Sequence, residues 1–72
     1  MVIELELYYS RFGALVRPYR ETIGFDYNRV YNSFDDIILD FALNNWKMVK
    51  RQDSKGGDEV VSAFCTFQYT GD

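Results

Sequence analysis

The sequence predicts an α+β fold: a small antiparallel sheet in ββαββ order with one helix packed on one face. Three observations carry that expectation. Residues 33–46 are the only stretch whose apolar side chains recur at helical spacing. The segments on either side alternate between apolar and polar as half-buried strands do. The connections are short, which suits antiparallel neighbours.

Residues 2–9 give the clearest strand, with Ile3, Leu5, Leu7 and Tyr9 on one face and Val2, Glu4, Glu6 and Tyr8 on the other. A turn through Gly13 follows, glycine being free to take positive φ. Residues 14–23 read as a weaker second strand, and Pro18, lacking an amide hydrogen, places it at a sheet edge or a break. Residues 24–32 fit a short strand or an ordered loop equally well.

The helix comes next. Phe34, Ile37, Ile38, Phe41, Ala42 and Asn45 share one face. Ser33 is the expected N-cap, Asp35 and Asp36 complement the helix dipole in the first turn, and Asn44-Asn45 offers a left-handed stop. Leu39 and Leu43 stand four apart, off that face. A helix sunk deep enough to bury them is the plainer reading in a domain this small, and an exposed contact pair is its rival.

After the helix, residues 46–52 alternate Trp46, Met48 and Lys50 against Lys47, Val49 and Arg51. Residues 53–58 carry the turn signal of a hairpin. Residues 59–69 are rich in Val, Phe, Thr and Tyr, hence a strand. The expected core is Ile3, Leu5, Leu7, Ile37, Ile38, Phe41, Trp46, Ala63, Cys65 and Phe67. Tyr8, Val60 and Phe64 are expected on the face that the helix leaves uncovered.

Seventy-two residues make one domain, 1–72, with a thin stability margin. Six Tyr, six Phe and one Trp supply more aromatic surface than one helix on one sheet hides, which points to an interface. Eleven acids against eight bases leave a net charge of −3, so binding to phosphate backbones is disfavoured. Cys65 is the sole cysteine, so no internal disulfide forms and a reducing compartment fits. No run has the length of a membrane span, and the first residues lack a signal-peptide pattern. The expectation is a free-standing cytoplasmic protein.

Chemistry-bearing constellations are few. Asp35, Asp36 and Asp40 lie on the polar side of the helix without histidine or ligand spacing, and read as a solvated capping face rather than a metal site. Cys65 has no histidine to activate it and reads as a buried structural thiol. The glycines of residues 53–58 lack the spacing of a phosphate loop. Neither catalytic residues nor a cofactor or metal site is expected, and the protein is read as not an enzyme.

The most suggestive cluster interleaves arginine and tyrosine: Arg17, Tyr19, Arg20, Tyr27, Arg29 and Tyr31. These types make protein-interface hot spots, and also stacking platforms for bases. With a negative net charge the protein partner is preferred. Leu39 and Leu43 at the helix flank, and Tyr8 and Phe64 on the sheet, complete the candidate contact residues. At least one of those two patches is expected to be covered by a second copy or by the target. Size, acidity and scarcity of cysteine suggest an inhibitor or modulator of a larger protein, of the kind bacteriophages direct at host enzymes or defence systems. The alternatives are a nucleotide or nucleic-acid binder built on the Arg/Tyr cluster, and a homo-oligomeric subunit.

Overall fold

Strands β1 (Val2–Ser10) and β2 (Gly13–Pro18) precede helix α1 (Phe34–Leu43), which is followed by β3 (Trp46–Gly56) and β4 (Glu59–Tyr69). The computed structural model describes residues 1–19 and 27–71. All pairings are antiparallel, in the spatial order β2-β1-β4-β3, and α1 packs on one face. This is the ββαββ fold expected from the alternation and the single helical period. None of the helices among the described residues is long and apolar enough to cross a membrane.

The alternation of β1 and β4 explains the core. Ile3, Leu5 and Leu7 pair with Phe67, Cys65 and Ala63, and all six are buried under the helix. From α1, Phe34, Ile37 and Phe41 point down at them, with the Phe41 and Phe67 ring centroids 4.9 Å apart. Trp46 is buried as expected, whereas Ile38 is only partly so. Ala14, Val16, Phe34 and Tyr31 join the core beyond the residues expected there.

Local chemistry sets the ends of the elements. Ser33 caps α1, the Asp36 N–H donating to its Oγ at 3.2 Å. At the other end Asn44 N–H donates to Phe41 O, and Asn45 takes φ +69°, the left-handed stop. Strand β2 is shorter than expected, ending at Pro18; residues 20–23 of the expected strand lie outside the described residues. Ala14 turns its N–H and C=O outward to Tyr31 (2.8 Å each), and Pro18, four residues on, faces the same way. Its missing N–H therefore removes no bond inside the sheet. Of residues 24–32, the first three lie outside the described residues. Residues 27–30 form a turn and coil, and Tyr31 makes the isolated bridge to Ala14.

Two bulges depart from simple alternation. Met48 pairs with Phe67 but Lys50 with Thr66, so Val49 is an extra residue. Beyond it Lys50 moves to the open face and Arg51 to the helix side, the reverse of the expected assignment. A second shift, between Ser54–Ser62 and Lys55–Val60, makes Val61 the extra residue of β4. It turns Val60 toward the core cluster, which corrects its expected place on the uncovered face. The hairpin is also tighter than the turn signal implied. The strands run through Asp53 to Gly56, leaving a two-residue loop whose Gly57 has φ +68°.

Candidate functional site

Helix α1 spans only ten residues and rests on a narrow stripe of Phe34, Ile37 and Phe41. Leu39 and Leu43 turn away from that stripe and are 58% and 75% exposed, so the exposed-pair reading holds and deep burial does not. Val30, 48% exposed, lies across from them. Together with Arg29, Asp36 and Asp40 these residues line a shallow groove of about 330 Å³. The helix carries three aspartates and no basic residue; Asp36 and Asp40 border the groove, and Arg29, paired with Asp40, stands beside them.

Asp40 has a structural duty there. Its Oδ2 accepts from the Tyr31 hydroxyl at 2.6 Å and from Arg29 Nη1 at 3.3 Å. Arg29 also sits over the Tyr31 ring, 4.8 Å from its centroid. Asp40 is thus engaged by two partners, and no group of three or more His, Cys, Asp or Glu placed to hold a metal ion occurs among the described residues.

The interleaved Arg/Tyr residues separate onto different parts of the fold. Arg17 and Tyr19 lie on the open sheet face. There Arg17 Nε donates to Glu6 Oε1 at 2.6 Å and the guanidinium covers the Tyr8 ring at 4.4 Å. The hydrogen bond to Glu6 holds the Arg17 pKa above its ordinary value. Tyr19 reaches across β1 to meet Phe64 edge-on, with centroids 5.0 Å apart. Tyr8 and Phe64 are in consequence half-buried, beneath Arg17 and Tyr19 respectively. Tyr31 is in the core, Arg29 is beside the helix, and Tyr27 packs against the core from the segment before it. Arg20 lies outside the described residues. The described members therefore form no continuous stacking platform.

Cys65 is buried in the centre of β4, and burial pushes its thiol up to about 11, far from the depressed value a nucleophile needs. Sequence reasoning missed Val30 and the Asp40–Tyr31 tie. Both involve residues 27–32, whose coil has no period to read.

No protein-family model, curated protein or solved structure matches this chain.

Proposed function

We propose that this protein is a non-enzymatic protein-binding module, an inhibitor or modulator that grips a larger protein through the flank of α1. The observation that carries the reading is the Leu39–Leu43 pair, exposed beside Val30 on a helix whose only charges are aspartates. Two leucines one turn apart present an apolar ridge, and such a ridge on a helix whose own charges are all aspartates suits a basic amphipathic helix of the target. Burying both leucines supplies about 3–5 kcal/mol of favourable transfer before the costs of association.

The probe for this surface is a labelled 14-residue peptide with leucines at helical spacing and lysines elsewhere. Leu39→Asn with Leu43→Asn should weaken its binding at least tenfold while the circular dichroism stays that of the parent. Asp35→Asn with Asp36→Asn should weaken it several-fold and flatten its salt dependence. Binding that survives the leucine changes, or a lysine-free analogue that binds as well, overturns this choice of surface and partner.

A further inference from the structure

The sheet has two edges, and they are treated differently. The β2 edge is short, is closed at Ala14 by Tyr31 and ends in a proline. The β3 edge runs for eleven residues, and among the described residues no strand pairs with its outer side. Alternate residues of such a strand direct N–H and C=O groups outward, where they await a partner.

The charge on this edge is opposite to that of the whole. Residues 47–55 hold four of the chain's eight bases and one acid, in a protein whose net charge is −3. Arg51 is engaged by Asp53, its Nε donating to Oδ1 at 2.7 Å. Lys47, Lys50 and Lys55 are exposed and make no ion pair with a described residue. The bulge at Val49 brings Lys47 and Lys50 to the same open face, opposite Gln68 and Thr66, two ladder positions apart. Simple alternation would have put them on opposite faces. Behind them a groove of about 530 Å³ runs inward over the open face past Thr66 and Phe64 to Tyr19 and to Glu4 of β1, which stands across Thr66 from Lys50, so the basic character is confined to the β3 edge itself.

We propose that β3 receives an extended acidic segment of a partner protein as a fifth strand. Backbone hydrogen bonds along β3 supply affinity, as in other strand additions. Carboxylates at alternate positions of the incoming strand stand over Lys47 and Lys50, which fixes its register. A second copy of the chain fits poorly, because pairing β3 with itself brings together two strands that each carry four bases and one acid. Edge lysines commonly keep strands apart; on this edge the same charges repel a copy and attract a carboxylate. The proposal involves a different surface from the flank of α1 and does not depend on it.

The test is a titration of the isotopically labelled protein with a blocked nine-residue peptide that alternates glutamate with threonine and valine, followed by amide chemical shifts. Shifts concentrated on residues 47–55, and weakening of at least fivefold between 50 and 300 mM salt, are expected. Lys47→Gln with Lys50→Gln should reduce affinity at least fivefold, and methylation of alternate peptide amides of the probe should abolish binding. Shifts centred elsewhere, an equal response to a lysine-for-glutamate peptide, or binding indifferent to amide methylation each overturn the proposal. Indifference to amide methylation would reduce the edge to a charged patch with no strand added.

Discussion

Tyr31 joins three parts of the molecule through separate atoms. Its backbone bridges to Ala14 on β2, its ring is buried in the core, and its hydroxyl donates to Asp40 on α1. Tyr31→Phe keeps the first two and removes the third. A hydrogen bond to a charged acceptor that is partly shielded from water contributes about 1–2 kcal/mol. The exposed Arg29–Asp40 pair contributes less, so Arg29→Ala should cost under about 1 kcal/mol by thermal melting. If Arg29→Ala proves the costlier change, Asp40 is held by charge and not by the tyrosine. Gly13 supports the same junction. At φ +134°, an added Cβ would stand 2.6 Å from Tyr31 O, so Gly13→Ala should both strain the turn and push the bridge apart.

Cys65 makes a prediction in pH. Its ordinary value is near 9 and burial raises it to about 11 in the folded protein. The unfolded chain therefore loses the proton first as pH rises. The stability this contributes is complete below about pH 9 and is lost as pH climbs toward 11. The full difference corresponds to about 2–3 kcal/mol. Cys65→Ala starts from a lower stability at pH 7 because of the cavity, but its stability should fall less steeply over that window. Parallel pH profiles for parent and variant would mean that the thiol is not desolvated.

At the scale of the element, α1 concentrates the core in few residues. Phe41→Ala removes a buried ring packed against that of Phe67 and should cost about 3–5 kcal/mol, enough to unfold a domain of this size. Ser33→Ala loses the cap to Asp36 N–H and should cost about 1 kcal/mol. Both roles were legible in the sequence, because caps and helical faces are local patterns. The β1 and β4 faces were legible for the same reason. What alternation could not convey was the pair of bulges. An inserted residue leaves no compositional mark, yet it reverses the face of every residue beyond it. Alternation alone therefore puts Lys50, Arg51 and Val60 on the wrong sides. The exposure of Leu39 and Leu43 was equally out of reach, since a wheel gives angles around the helix and not how far it sinks into the sheet.

Across the whole molecule the charge is polarised. Acids line α1, bases line the β3 edge, and the aromatic surplus of the open face is partly covered from within by Arg17 and Tyr19. An eleven-residue edge with its outer hydrogen-bonding groups unpaired by any described strand is the feature by which a sheet of this kind aggregates. What opposes aggregation here is repulsion among Lys47, Lys50 and Lys55 of two approaching copies, and that repulsion is screened by salt. Lys47→Thr, Lys50→Thr and Lys55→Thr combined should leave the monomer fold intact, since all three side chains are exposed and threonine favours strands. The triple variant should nevertheless associate through β3, with light scattering rising with time at concentrations where the parent remains clear. Raising salt should move the parent toward the variant and leave the variant almost unchanged. A triple variant that stays monomeric at low and high salt would show that something other than charge protects the edge. The bulge at Val49, which twists the strand away from a flat partner, would then be the next feature to remove.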